Sequence, residues 1–151
     1  EPGSRHWWQR YYRLAGHIDK DPPILAASRG YLTALLQAGE EEQALAVIHD
    51  ALNRDRGFQT EHPEQVFRLA RIARRDDRPS LALRIMNGFV QRHPEHPDAP
   101  KVLLFSARIA GEDFRRPDEA CKLLDALLRR YPEHTLAQEA RRIRSRFADA
   151  S

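Results

Sequence analysis

The sequence is poor in several residues that would each have pointed to a chemistry. It has one cysteine, Cys121, one methionine, Met86, and only three lysines, Lys20, Lys101 and Lys122, in 151 residues. A lone cysteine excludes an intrachain disulfide and a cysteine-based zinc site. It leaves the reducing cytosol and the oxidising periplasm equally open. The seven glycines fall mostly between periodic segments and β-branched residues are sparse, which argues against sheets. No apolar run reaches the ~20 residues that cross a bilayer. No signal peptide is visible, but the chain opens Glu1-Pro2-Gly3-Ser4 without a methionine. We read residues 1–4 as a tag or linker remnant, which leaves room for a membrane tether upstream. There is no glycine-rich phosphate loop, no Gly-x-Ser-x-Gly and no adjacent Cys/His pair. The expectation is a chain that is not an enzyme and holds no cofactor.

What is present is arginine. Of 25 basic residues against 22 acidic, all but three are arginine, for a net charge of +3 and a pI near 9.4. Guanidinium forks grip carboxylate and phosphate well, yet codon bias in a GC-rich genome accounts for most of them. A dedicated nucleic-acid binder carries a larger excess of positive charge. An RNA-associated reading survives as an alternative, on Arg141, Arg142, Arg144 and Arg146 and on the mixture of arginine, Trp and Tyr near the start. The seven histidines, including His93, His96 and His134, lack the helical i, i+4 spacing of a zinc motif, so no metal is expected.

The chain also repeats itself. Arg78-Pro79-Ser80-Leu81-Ala82 returns as Arg116-Pro117-Asp118-Glu119-Ala120, and Gln91-Arg92-His93-Pro94-Glu95-His96 as Arg129-Arg130-Tyr131-Pro132-Glu133-His134, both 38 residues on. Ala70-Arg71-Ile72-Ala73 returns as Ala107-Arg108-Ile109-Ala110, 37 residues on, and Ala44 precedes Ala82 by 38. Periods of this size mark an array of supersecondary units, none of which buries its apolar face alone.

Helical periodicity fills the intervals. Residues 5–19 carry the stripe Trp7, Tyr11, Leu14 and Ile18, flanked by Trp8, Tyr12 and Ala15 and interleaved with Arg5, Arg10 and Arg13. Two placements suit it: a membrane interface and the end cap of the array. Asp21-Pro22-Pro23 opens a helix that Gly39 closes, with Leu25, Leu32, Leu35 and Leu36 on its apolar face. A third helix, led by Glu40 to Glu42, carries Ala44, Leu45, Val47, Ile48, Ala51 and Leu52. A fourth, capped near Thr60 or His62, carries Val66, Leu69, Ala70 and Ala73. Pro79 opens a fifth, with Ala82, Ile85, Met86, Phe89 and Val90 as one stripe. A sixth spans about 98–112, with Val102, Phe105 and Ile109 inward. The turn Gly111 to Arg116 is expected to run about four residues longer than its counterpart. Pro117 opens a seventh helix on Ala120, Leu123, Leu124, Leu127 and Leu128, and an eighth carries Leu136, Ala140, Ile143 and Phe147.

The second helix of each unit resembles a tetratricopeptide repeat. Ala82, Met86, Phe89 and Pro94, and Ala120, Leu124, Leu127 and Pro132, match that family's spacing, and Ala44, Ile48 and Ala51 match it without the proline. Val66, Leu69 and Ala70 fit the first helix of a repeat, as do Tyr11, Leu14, Ala15 and Ile18. The family's Trp, central Gly and Tyr are mostly absent, and the period is 38 where the family's is about 34. The resemblance implies an all-α, α-α superhelix of antiparallel pairs, about eight helices. It places the pairs at about 22–56, 60–93 and 97–131, flanked by helices 5–19 and 134–148, in one domain over 5–151.

It also implies a concave groove lined by first helices. The position after the small residue gives Arg71, Arg108 and Arg141 as groove residues, with Arg74 one turn from Arg71 and Arg29 continuing the row. Such a guanidinium ladder suits an acidic peptide or a terminal carboxylate. The implied role is a non-catalytic adaptor or scaffold binding a protein or peptide partner in a bacterial cell-envelope assembly. In that role the domain is tethered to the inner membrane, on either side. A regulatory tail of a larger membrane enzyme is the alternative beside the RNA reading.

Overall fold

The computed structural model describes residues 2–18 and 21–150. Among them every regular element is helical: α1 (Pro2–Ile18), α2 (Asp21–Gln37), α3 (Glu41–Arg54), α4 (Glu64–Arg75), α5 (Pro79–Met86), α6 (Phe89–Arg92), α7 (Ala99–Arg108), a π segment (Ile109–Asp113), α8 (Pro117–Arg130) and α9 (Leu136–Ala150). They form two compact units, Glu1–Ile85 and Met86–Ser151.

In the first unit α1, α2, α3 and α4 each pack on the next. The apolar faces read from the sequence supply the core: Leu32, Leu35, Ala44, Ile48, Ala51, Leu69, Ala70 and Ala73 are all buried. In the second unit α8 lies against both α7 and α9, and α6 and the π segment pack beside them. Ala107, Ile109, Ala120, Leu124, Leu127, Ala140, Ile143 and Phe147 form its interior. Phe105, Leu123, Leu128 and Leu136, expected inward, are only half-buried.

What reverses the chain recurs with the 38-residue period. Gly39, Asp77 and Arg115 are spaced 38 apart and all have left-handed backbone, at φ 74°, 60° and 54°. Glu40 N–H donates to the Leu35 carbonyl at 2.9 Å, and Arg78 N–H to Ala73 at 2.9 Å. Both are the bonds that close a helix through a left-handed residue. The carbonyls of Glu40, Arg78 and Arg116 then accept Ala44, Ala82 and Ala120 N–H, each at 3.1 Å, starting the next helix.

The third turn shows how the period shifts from 37 to 38. Ala70 to Pro79 is nine steps and Ala107 to Pro117 is ten, so the later turn is one residue longer, not four. That residue is absorbed as the π segment: Phe114 N–H reaches back five residues to Ile109, and Arg116 N–H six to Ala110. A π bulge is the geometry that a single inserted residue produces in a helix. Within it Gly111 is required, because a Cβ there would sit 2.3 Å from the Phe147 ring.

Two further expectations change. The fifth helix is not continuous: it stops at Met86 and resumes at Phe89, because Gly88 takes φ 78°. Helix α1 docks by its flank rather than its stripe. The Trp8 ring lies on Gly30 so closely that a Cβ there would meet it at 2.3 Å. Arg5 pairs with Glu40, the Tyr12 hydroxyl donates to Asp50 at 3.2 Å, and Tyr12 stacks with the buried Tyr31. Trp7, Tyr11 and Leu14 point away into solvent. The side chains of Ala15 and Ile18 lie outside the described residues.

Two measurements check this account. Arg115→Gly should raise stability by about 1 kcal/mol in denaturant titrations, and Gly39→Ala should lower it by a similar amount, since L-residues are disfavoured in left-handed backbone. Burial, followed by the charge of Asp50, pushes the Tyr12 phenol up to about 12, and burial raises Tyr31 as well. A raised folded pKa means that this stability is complete below pH ~10 and lost as pH climbs toward ~12. Alkaline titration of Tyr12→Phe should show a shallower loss over that window than the wild type, with the remainder from Tyr31.

Candidate functional site

The arginines read as a groove are distributed over both units and differ in what they do. In the first unit, α2 and α4 run side by side in parallel. The Gln65 amide donates to the Thr33 hydroxyl at 3.0 Å, and the Arg68 guanidinium to the Leu36 carbonyl at 3.0 Å. The second bond brings a further donor to the Leu36 carbonyl at the C-terminal end of α2, which also accepts Gly39 N–H at 3.2 Å. Both bonds join residues 32 apart, which fixes the register between the helices. Arg71, one turn beyond Arg68, is level with the end of α2. Arg29, one turn before Thr33, is level with residue 61. Ten residues of helical rise separate them, roughly 15 Å, so α2 and α4 do not bring Arg29 and Arg71 together.

Each of these two arginines is held over an aromatic ring. The Arg71 guanidinium lies 5.8 Å from the centroid of Phe67, four residues earlier on α4, and is exposed. The Arg29 guanidinium lies 5.8 Å from Phe58, a buried residue in the loop after α3. Contact with a ring face leaves the in-plane N–H donors of a guanidinium directed outward. Arg74, on the next turn of α4, is half-buried and already engaged.

In the second unit Arg108 is committed to the fold. It pairs with Glu139 of α9 and, at 3.6 Å, with Glu112 of the π segment. Arg141 is exposed on α9. The basic face of α9 is partly neutralised: Arg142 is 3.9 Å from Glu139, and Arg144 pairs with Asp125 of α8. The Arg144 hydrogen bond holds the Asp125 carboxyl below its usual range.

The histidine loops are caps. His96 Nδ1 accepts Asp98 N–H at 3.0 Å, and His134 Nδ1 accepts Leu136 N–H at 3.0 Å, 38 residues later. The carbonyls of His96 and His134 accept Ala99 and Ala137 N–H, each at 3.0 Å. Each imidazole therefore does what Ser or Asp does at a helix start. Phe89 contacts the His93 and His96 rings at 5.3 and 5.4 Å, and the Tyr131 hydroxyl donates to the Pro94 carbonyl. Among the described residues no group of three His, Cys, Asp or Glu side chains is placed to hold a metal ion. A small open cleft between α3 and α4 is floored by Leu45 and Ile72 and bridged by the Arg75–Glu41 pair at 2.6 Å.

Sequence reasoning missed two features. Phe58 sits in a loop outside any periodic stripe, so only its hydrophobicity marked it. The other is the docked flank of α1, since the sequence left both an outward and a packed placement open for Trp7, Tyr11 and Leu14. The signal was the competing face, where Trp8, Tyr12 and Arg5 share one side of α1.

The tetratricopeptide repeat profile matches residues 106–134, which run from the end of α7 through α8. All nine apolar positions of the three matching series, from Ala44 to Leu127, are buried. The chain is similar in structure to nearly identical TPR-like repeats from Podosopora anserina, described as a kinesin light chain. The TM-score is 0.57 at 17% identity, over 97% of this chain and 76% of that one. No curated protein matches the sequence. The fold is thus a tetratricopeptide-like helical repeat.

The capping geometry predicts that His96→Ala and His134→Ala each lower stability by about 1 kcal/mol. Denaturant midpoints of the two variants would check this, and His96→Asn, which keeps a side-chain acceptor, should recover most of the loss.

Proposed function

We propose that the chain is a non-catalytic interaction module that takes an acidic segment or terminal carboxylate of a partner protein on the exposed side of α4, centred on Arg71. The observation that carries this reading is the exposed Arg71 guanidinium steadied by Phe67. An arginine ordered over a ring loses less freedom on binding, and its fork meets a carboxylate with two N–H donors. Arg74, half-buried and already engaged, adds positive charge from the next turn rather than a further contact. Arg29 and Arg141 serve as separate contacts, and Arg108 acts as the clamp between α7 and α9. A helical-repeat fold supports the reading, since such arrays present extended surfaces to partner chains. The pairing of Arg142 and Arg144 with acidic side chains counts against an RNA role. We place the module in a bacterial cell-envelope assembly beside a membrane, a setting supported by the basic, aromatic character of α1.

The test uses labelled peptides ending in acidic residues with a free carboxylate, read by fluorescence anisotropy. Arg71→Glu should weaken the best binder by about tenfold or more with circular dichroism unchanged. Arg108→Glu should instead lower stability. Equal affinity in the Arg71→Glu variant, or no binding by any acidic peptide, would overturn the reading.

A further inference from the structure

Helix α1 is fixed to the fold along one flank and displays a different face to solvent. Trp8, Tyr12 and Arg5 dock on α2 and α3. On the free side, Trp7 is 58%, Tyr11 36% and Leu14 58% exposed, and these are the exposed large hydrophobic side chains among the described residues. Their spacing, i, i+4 and i+7, makes them one stripe. The stripe is ordered from beneath: Trp7 meets Trp8 edge-on at 4.7 Å and Tyr11 at 5.5 Å. Arg10 lies one turn from both Trp7 and Leu14, and His6 and Arg13 extend the same border, all exposed. No acidic residue occurs between Pro2 and Ile18. Among the described residues, the acids that pair with α1 lie on its docked side, Glu40 with Arg5 and Asp50 with Tyr12.

We propose that this outward face of α1 is a binding site for an anionic bilayer surface. Trp7, Tyr11 and Leu14 enter the boundary between headgroups and acyl chains, and Arg10 and Arg13 engage lipid phosphates. The composition is that of a helix lying in the interface, with Trp and Tyr at the headgroup level and arginine reaching the charged layer. The face lies on the membrane rather than crossing it, since no helix among the described residues is long and apolar enough to span. Charge selects this occupant over a second copy of the chain. Two such faces brought together would set Arg10 and Arg13 against their own kind, whereas anionic lipid neutralises them. The inference deepens the membrane setting proposed above and is independent of the site at Arg71.

The experiment is co-sedimentation of the intact chain with vesicles of phosphatidylcholine alone or mixed with phosphatidylglycerol. Wild type should sediment with the mixed vesicles and much less with the neutral ones. Trp7→Ser with Leu14→Ser should cut partitioning at least about tenfold. Arg10→Gln with Arg13→Gln should cut it by about fivefold per arginine on mixed vesicles only. Trp8→Phe leaves Trp7 as sole tryptophan, and its emission should move to the blue on mixed vesicles, whereas Trp8 in Trp7→Phe should not. Wild type that stays in solution, or serine variants that sediment equally, would overturn the proposal. So would a dimer in light scattering that the serine substitutions dissolve, or an oligonucleotide that binds this face in place of vesicles. The serine variant should keep the peptide affinity of the Arg71 site and Arg71→Glu should keep vesicle binding, so either reading can fail alone.

Discussion

The helices α2, α3, α4 and α8 each carry an apolar side that is buried only by a neighbour brought back against it within a few residues. The tight reversal is therefore the constraint on which the packing depends. At Gly39, Asp77 and Arg115 a left-handed residue ends one helix and aims the next, and an alanine five positions later, Ala44, Ala82 or Ala120, lets the two backbones close. Only the first of these turns uses the residue that adopts this backbone without strain. The other two are held by hydrogen bonds on both sides and by the helices they join.

The same constraint explains the places where regular geometry gives way. A residue added between Ala107 and Pro117 leaves the reversal intact because the helix widens over Ile109–Asp113. The widened turn then depends on Gly111, whose missing side chain is the space occupied by Phe147. Polar side chains repeat for equally local reasons. His96 and His134 satisfy helix starts, Arg68 adds a second donor at a helix end, and Arg108 and Arg144 tie α9 to its neighbours.

Much of this was legible in the residues. The doubled motifs marked a helical repeat, and helical spacing selected core positions such as Leu69, Ala82, Leu124 and Ile143. The break at Gly88 was not legible, because Met86 and Phe89 keep helical spacing across it. Nor was the π segment that absorbs the added residue, since it leaves no mark in the sequence beyond the shift from 37 to 38. The arginine face was read by position along each helix. Whether an arginine on that face meets solvent or an acid depends on what faces it in space: Glu139 of α9 claims Arg108, while Arg71 lies over Phe67 of its own helix and stays exposed. Helix α1 had two apolar sides to offer, and the absence of a side chain at Gly30, a residue on another helix, settled which one docks.

That choice also bears on assembly. Stacked helical pairs offer a terminal face similar to the internal ones, so another molecule's pairs can add there and the addition can continue into a fibre. Here α2 is covered by a helix outside the 38-residue series, seated through Trp8 in a notch at Gly30 that the other pairs do not reproduce. The face of α2 is thus withheld from such stacking, and the side of α1 turned away from it carries Trp7, Tyr11 and Leu14 beside Arg10, a surface chemically unlike the alanine- and leucine-lined faces within the unit.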